Sequence, residues 1–294
     1  MKLLTYEYQN QKAAVGVLCR DERSIFPIAQ AGLNFSSMND LILHISQDQL
    51  ALLKEQSANP SASISLDQIR LLAPIPVPRQ DIICLGINYA AHAQESARYK
   101  GEVFDANRQY AVYFSKRVNE AVGCGSPIQG HFDLLDRLDY EVELAVIIGK
   151  DARCVSASQA FDYVFGYTIL NDISAREIQT RHKQWYFGKS MDGFCPMGPW
   201  IVTEEEFQRP PVLHISSRVN GELRQDSSTD LLIFSIPQVI QELSLGMTLK
   251  AGTIISMGTP AGAGMGFDPP RFLKPGDVVT CEIEGIGTLS NPVV

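Results

Sequence analysis

Short apolar runs, each bounded by glycine, proline, asparagine or aspartate, follow one another along the chain after residue 80. Runs of four to eight residues with such borders are typical of β-strands. They predict strands at 82–86, 111–115, 141–148, 164–171, 200–202, 214–219, 253–257 and 278–284. Because these strands do not alternate regularly with helices, the pattern disfavours a TIM barrel or a doubly wound sheet.

Helical spacing of apolar residues marks fewer segments. It predicts a helix over 38–53 with Asn39 as its N-cap, because the apolar side chains there recur at intervals of three and four. A second helix is predicted over 174–183, where Ser174 begins a capping-box pattern. A third, over 235–244, has its apolar residues on one face.

The first 75 residues form a predicted unit of their own. Strands are expected at 13–19 and 24–28, joined by a turn and followed by the first helix. Three prolines alternate with apolar residues over 73–79, and such a stretch is extended and stiff. We therefore expect an α+β, β-rich protein with a small N-terminal accessory domain, 1–75, and a larger domain, 76–294.

The composition is that of a globular chain with an acidic balance. Of 294 residues, 45% are hydrophobic and 20% charged, and 33 acidic residues against 25 basic ones give a net charge of -8. Nucleic-acid binders usually carry a basic stripe, whereas the longest basic run here is the pair Lys116 and Arg117. No nucleic-acid partner is therefore expected.

No segment has the roughly 18 consecutive apolar residues of a membrane helix, so no membrane partner is expected either. The chain turns polar too soon after Met1 for the apolar core of a signal peptide. The six cysteines include no CxxC pair. These features favour a cytoplasmic protein with reduced thiols.

Glu141 and Glu143 are the first candidate site residues. Side chains alternate between the faces of a strand, so these two carboxylates share one face of the predicted strand 141–148. Two buried carboxylates this close either share a proton or bind a cation, and oxygen-only ligands suit Mg²⁺ or Mn²⁺. The same spacing also occurs on half-exposed strands with a solvated acidic face.

Asp172 ends the predicted strand 164–171 and precedes a helix. It is either a turn residue or a third carboxylate for the same ion, because an acid at such a junction can reach a neighbouring strand. No cluster of cysteine or histidine accompanies the three acids, which argues against a zinc hydrolase.

Three further segments carry candidate chemistry. His92 and Glu95 have the i, i+3 spacing at which a carboxylate can orient an imidazole that acts as a general base, although a surface pair has the same spacing. Lys189 lies among aromatic residues and glycine, as a snorkelling lysine or as a desolvated cation. The glycine-rich stretch 256–266 lacks the phosphate-loop motif, yet its backbone N–H groups and Thr259 could hold a carboxylate.

Several blocks taken together resemble the fumarylacetoacetate hydrolase family. They are GINYAAHAQE, YFSKRVNEAVGCGSPI, DYEVELAVIIGK, FGYTILNDISAREIQ, GKSMDGFCPMGPW, VNGELRQDSSTDLLIFSIPQVI and SMGTPAGAG. The resemblance runs from Asp81 to the C-terminus, and it implies the family's mixed β-sandwich roll and a homodimer.

The resemblance also implies roles for residues that match the family pattern. It implies metal ligands for Mg²⁺ or Mn²⁺ at Glu141, Glu143 and Asp172, a water-activating dyad of His92 and Glu95, charge stabilisation by Lys189, and substrate contacts from Gln179 and Thr259. The segment 96–110, longer than in many members and basic at Arg98, Lys100 and Arg108, is interpreted as a lid that selects the substrate.

The predicted reaction is hydrolytic cleavage of a C–C bond in an acylpyruvate-like or fumarylpyruvate-like 2,4-dioxo acid, through a metal-stabilised enolate. The partner would be a small anionic 2-oxo acid. Decarboxylation of oxaloacetate and isomerisation or hydration of a dienoic 2-oxo acid pass through a similar enolate and stay open. A non-catalytic binding protein is disfavoured because all the acids and Lys189 are present.

Overall fold

The structure is a computed structural model that describes residues 1–9, 11–103 and 109–294. Its strands in chain order are β1 (Lys2–Tyr8), β2 (Ala14–Leu18), β3 (Ser24–Pro27), β4 (Ile64–Ser65), β5 (Ile69–Leu71), β6 (Ile82–Gly86), β7 (Val112–Lys116), β8 (Leu138–Asp139), β9 (Val142–Ile148), β10 (Val164–Asn171), β11 (Ser174–Ala175), β12 (Met197–Thr203), β13 (His214–Val219), β14 (Glu222–Ser228), β15 (Ile254–Ser256), β16 (Val278–Ile283) and β17 (Gly287–Pro292). The α-helices are α1 (Met38–His44), α2 (Gln47–Ala58), α3 (Ala90–Lys100), α4 (Arg176–Arg181), α5 (Tyr186–Lys189) and α6 (Ile236–Gly246).

Most strands belong to two sheets. The larger sheet has the order β4-β3-β2-β1-β12-β10-β9-β15-β6-β7, with β5 added beside β1, and its pairs are antiparallel except for β15 with β6. The smaller sheet has the order β14-β13-β16-β17. A short pair, β8 with β11, lies outside both sheets.

The strand β9 is buried on both faces, which explains why its residues 144–148 are all apolar. Val142, Leu144, Val146 and Ile148 pack in a cluster with the inner face of the smaller sheet. Alternate residues, beginning with Ala145, pack instead with the N-terminal strands and α1. Glu143 is two residues before Ala145 and therefore lies on the same face of β9. The predicted acidic face thus points away from the smaller sheet.

The predicted fold class is confirmed, and the predicted strands 82–86, 164–171 and 214–219 coincide with β6, β10 and β13. The strands β1, β14 and β17 were not predicted. β14 is largely polar and half exposed, so it lacks the apolar run by which the others are recognised.

The predicted helix over 38–53 is wrong as a single element, and Asn39 is not its cap. Two helices occur instead, with Ser37 and Ser46 as their N-caps. Ser46 forms a full capping box, so a new helix starts there and α1 does not continue. The side chain of Asn39 donates to the carbonyl of Val77, in the proline-rich stretch.

The predicted capping box at Ser174 is also wrong. Ser174 lies in β11, and its hydroxyl donates to the carbonyl of Asp172 rather than capping a helix. The helix α4 begins later, at Arg176, because residues 174–175 pair with β8.

The N-terminal strands extend the larger sheet, because β1 pairs with β12 as well as with β2. The proline-rich stretch after them leads to β6 at the other side of the same sheet. The boundary between 75 and 76 itself stays a prediction.

All six cysteines lie in the described residues and carry free thiols. Among the helices that the structure describes, none is long and apolar enough to cross a membrane.

Substitution of Gly166 tests how closely β10 packs against the neighbouring strands. A Cβ there would lie 2.3 Å from the carbonyl oxygen of Val202 in β12, at a point where the register with β9 shifts. We expect Gly166→Ala to lower the free energy of unfolding by about 1–3 kcal/mol because the strands must separate to admit the methyl group. The midpoint of urea denaturation measures this change.

The control is Gly246→Ala at the end of α6, where nothing lies within 4 Å of the added Cβ. Alanine favours helix over glycine, so this variant should be at least as stable as the unmodified protein. Equal midpoints for the two variants would contradict the close packing at Gly166.

Candidate active site and metal centre

Glu141, Glu143 and Asp172 come together at the point where β9 begins and β10 ends. The antiparallel pairing places Leu170 opposite Glu143, and the backbone N–H of Asp172 donates to the carbonyl of Glu141 over 2.8 Å. One carboxylate oxygen from each of the three acids lies within 4.8 Å of the others, and all three residues are buried. These three residues are called the carboxylate triad below.

Three buried cationic side chains surround the carboxylate triad. The Nζ of Lys189 lies 2.6 Å from Glu141 and 2.5 Å from Asp172. The Nζ of Lys116 lies 2.7 Å from the other oxygen of Asp172, and Arg176 donates to Glu141 over 2.6 Å. Sequence reasoning missed the roles of Lys116 and Arg176, although both lie inside the family blocks.

The carboxylates differ strongly in electrostatic environment. Burial alone would raise the pKa of Glu141, but the charges of Arg176 and Lys189 hold it below its usual range. Burial, together with the charges of Asp172 and Glu141, raises the pKa of Glu143 well above its usual range. A bound cation would therefore be most favourable near Glu143.

The donor set fits a hard divalent ion. All three ligand groups are carboxylates, which Mg²⁺ and Mn²⁺ prefer, and the described residues bring no cysteine or second type of ligand into the group. The Oε2 atom of Glu143 accepts hydrogen bonds from Ser256 and from the backbone N–H of Gly258, which orient the carboxylate. The triad could therefore hold a metal ion.

His92 lies beside the carboxylate triad, on α3. Its Nε2 is 3.9 Å from Glu141, and its Nδ1 is 3.7 Å from Glu95 one turn later on the helix. The Nδ1 atom is buried and has no hydrogen-bond partner within the described part of the chain. Both oxygens of Glu95 instead accept from the backbone N–H of Gly262.

Gln179 and Thr259 face the same cavity as the triad. Gln179 accepts a hydrogen bond from Arg176, so its position depends on that guanidinium. Thr259 donates to the carbonyl of Val142 and accepts from Gln225, a buried side chain in β14 that sequence reasoning missed. Six of the predicted site residues thus line one cavity: His92, Glu141, Glu143, Gln179, Lys189 and Thr259. The other two lie next to members of this lining, Glu95 beside His92 and Asp172 beside Lys189.

Asp139 is a further buried acid that sequence reasoning missed. It accepts from Arg176 and from the backbone N–H groups of Gly264 and Met265 in the glycine-rich stretch. It therefore ties that stretch to the guanidinium beside the triad.

The cavity is narrow: the space in it that the centre of a water-sized molecule can occupy is about 20 Å³. Trp185 and Phe114 form an apolar part of its lining. Lys100, the last residue of α3, also belongs to the lining. The predicted lid 96–110 begins as the last turns of α3, whereas Arg108 lies outside the described residues.

Residues 81–294 match the family model described as fumarylacetoacetate (FAA) hydrolase C-terminal. The chain is 49% identical over 229 residues to the oxaloacetate tautomerase YisK of Bacillus subtilis, covering 78% of this chain and 74% of that protein.

Two solved structures are also similar. The fumarylacetoacetate hydrolase of Exiguobacterium antarcticum is 40% identical, with a TM-score of 0.85, and the match covers 100% of this chain and 99% of that one. The 5-carboxymethyl-2-hydroxymuconate delta-isomerase of Mycobacterium smegmatis is 32% identical, with a TM-score of 0.76 and the same coverage. The chain belongs to the fumarylacetoacetate hydrolase family.

Proposed function

We propose that the protein is a divalent-metal-dependent enzyme that forms the enolate of a small 2-oxo acid and catalyses keto–enol tautomerisation of an oxaloacetate-type substrate. One observation carries the proposal. The imidazole of His92 lines the same cavity as Glu141, and its Nε2 atom lies 3.9 Å from the Glu141 carboxylate. It is therefore placed to exchange a proton with an acid held at the triad.

The 2-oxo carboxylate end of the substrate would bind over Glu141, Glu143 and Asp172. A divalent ion held there would supply positive charge beside the 2-oxo group and so lower the cost of enolate formation. Lys189 lies against two of these carboxylates. Burial alone would lower the pKa of its ammonium group, but the charges of Asp172 and Glu141 raise that pKa above its usual range and favour the charged form. Its ammonium group can share the negative charge that develops on the substrate oxygen.

The proton transfer needs one group that both accepts and returns a proton. His92 Nε2 would take the proton from C3 of the substrate as the enolate forms, and would return it to the 2-oxo oxygen to give the enol. No bond between carbon atoms breaks, and the same steps in reverse give the keto form. The name of the Bacillus subtilis relative supports this reaction.

Hydrolysis of a 2,4-dioxo acid is the second candidate. It requires His92 to activate water with the help of Glu95, and their 3.7 Å separation exceeds a hydrogen bond. A small movement of either side chain would close that gap, since hydrogen bonds between catalytic groups are often long before substrate binds. The name of the Exiguobacterium structure supports this alternative.

The two candidates make different products from different substrates. The assay compares loss of the ultraviolet absorbance of enol-oxaloacetate, pyruvate release from oxaloacetate, and cleavage of acetylpyruvate and fumarylpyruvate. Tautomerisation predicts faster decay of the enol without pyruvate release. Cleavage of a dioxo acid with no effect on enol decay would favour the hydrolase, and pyruvate release from oxaloacetate would favour a decarboxylase.

The carboxylate triad should account for metal binding. We expect Glu143→Gln to weaken Mn²⁺ binding at least about 100-fold because a neutral amide replaces a charged ligand, a larger change than the loss of an outer hydrogen bond brings. Isothermal titration calorimetry measures the affinity. Chelation by EDTA should remove turnover, and Mg²⁺ or Mn²⁺ should restore it.

The control for this change is Glu55→Gln, an exposed carboxylate in α2, which should leave Mn²⁺ affinity unchanged. Equal affinity of Glu143→Gln and the unmodified protein would show that the ion binds elsewhere. Circular dichroism checks that each variant is folded.

His92 should be required for proton transfer but not for metal binding. We expect His92→Gln to lower the rate of enol decay by about 10²–10⁴, the usual effect of losing a general base, and to leave Mn²⁺ affinity within a factor of a few. Stopped-flow absorbance and calorimetry provide the two readouts. His44→Gln, which removes an exposed histidine of α1, is the matched control.

An unchanged rate in His92→Gln would contradict the proposed role. Loss of Mn²⁺ binding in the same variant would show instead that the imidazole acts as a ligand.

A further inference from the structure

We infer that Gln225, a buried residue of the smaller sheet, is a positioning residue for the metal centre. It holds the backbone of Val142, the residue between Glu141 and Glu143, and so fixes the main chain that carries both carboxylates. The inference rests on the proposed function, because it takes an ion to bind at the carboxylate triad. Gln225 itself does not line the cavity and acts through its neighbours.

The backbone of Val142 lies beyond the end of the ladder that β15 forms with β9, since the last pair of that ladder is at Ala145. Two side chains bind it instead. The amide oxygen of Gln225 accepts from the N–H of Val142 over 3.1 Å, and the hydroxyl of Thr259 donates to its carbonyl over 2.9 Å. The amide nitrogen of Gln225 in turn donates to the Thr259 hydroxyl over 2.7 Å. Three hydrogen bonds thus close a ring at the residue between the two glutamates.

The same amide acts on Glu143 by a second route, through the glycine-rich stretch 256–266. Its nitrogen also donates to the carbonyl of Pro260 over 2.8 Å. Two residues earlier, the backbone N–H of Gly258 donates to the Glu143 carboxylate over 3.0 Å. Gln225 therefore holds both the strand that carries Glu143 and the stretch that orients its carboxylate.

Gln225 uses the full hydrogen-bonding capacity of its amide group. The side chain is fully buried, and its oxygen accepts a second hydrogen bond from the hydroxyl of Ser217 in β13, over 2.8 Å. With the two bonds that its nitrogen donates, both donors and both acceptor sites are engaged. Because a buried amide costs free energy unless it is bonded in this way, the four contacts depend on one another.

A β-bulge directs this side chain toward β9. Gln225 lies opposite Ser217, and the register of β14 against β13 shifts directly before it, where Arg224 is the extra residue. A bulge bends its strand and redirects the side chains beside it, and bulges are frequent next to active sites. The smaller sheet therefore departs from regular pairing at the residue that reaches the metal centre.

The test replaces Gln225 by methionine, which has a similar length and no amide group. We expect Gln225→Met to weaken Mn²⁺ binding about 10–100-fold, the usual effect of losing a contact that orients metal ligands. Isothermal titration calorimetry measures the affinity without requiring turnover. The electron paramagnetic resonance spectrum of bound Mn²⁺ should change as well, because it depends on the arrangement of the ligands.

The matched control is Asn291→Leu. Asn291 is a buried amide in β17 of the same sheet, and it donates to the carbonyls of Gly123 and Ser126, outside the cavity lining. Its replacement should lower the midpoint of urea denaturation, as that of Gln225 should, because buried polar groups are left unpaired. The Mn²⁺ affinity and the resonance spectrum of this control should stay unchanged.

A second variant, Gln225→Asn, is less disruptive to folding because it keeps an amide in the interior. Its side chain is one methylene shorter, so it cannot reach Val142, Thr259 and Pro260 together. We expect this variant to weaken Mn²⁺ binding at least about tenfold and to alter the resonance spectrum. Circular dichroism checks that each variant is folded.

The inference fails if the folded Gln225 variants keep the Mn²⁺ affinity or the resonance spectrum of the unmodified protein. It also fails if Asn291→Leu weakens Mn²⁺ binding equally, because the effect then follows from lower stability alone. In both cases the proposed function can still stand on enol decay and on Glu143→Gln. If the unmodified protein binds no Mn²⁺, the metal site of the proposed function is wrong, and the inference is wrong with it.

Discussion

Buried charge must be balanced by opposite charge, and this constraint governs the centre of the molecule. Four carboxylates, Asp139, Glu141, Glu143 and Asp172, lie in the interior with three cationic side chains, Lys116, Arg176 and Lys189. Lys116 shows how the balance organises the chain. Its ammonium group contacts the carboxylate of Asp172, the carbonyl of Ile173 and the carbonyl of Lys189, so that one side chain joins β7, the end of β10 and α5. The negative charge that is left over is concentrated near Glu143, where a divalent ion fits.

Local patterns in the sequence were sufficient to predict the parts of this centre that one element creates. Alternation along a strand placed Glu141 and Glu143 on one face, and the helical repeat placed His92 one turn from Glu95. The cationic partners could not be predicted in this way, because Lys116 and Asp172 are 56 positions apart and meet only through the fold. Ser174 was misassigned for a related reason, since a strand pairing with β8 competes with the local capping pattern and prevails. Family blocks identified segments, but not the contacts between them.

The larger sheet positions the site by burying β9 on both of its faces. One face packs with the smaller sheet and the other with the N-terminal strands, so the start of β9 is fixed from two sides. The helix α3 is held differently. Its contacts run to the glycine-rich stretch, through Glu95 with Gly262 and Arg98 with Gly266, rather than to a hydrophobic core of its own. The triad is thus rigidly supported, whereas the histidine above it depends on a few polar contacts.

The attachment of Glu95 to the backbone of Gly262 has a consequence for how reactions diverge on one scaffold. The loop and the imidazole compete for the same carboxylate, because a carboxylate directed at the backbone N–H is turned away from His92. A substitution in the loop could therefore change the basicity of His92 and its power to activate water, while every ligand of the ion stayed in place. Two enzymes with a common ancestor could then differ in reaction, one transferring a proton and the other cleaving a bond, because of a substitution in this loop at some distance from the reacting atoms. The metal ligands of the two enzymes would be the same.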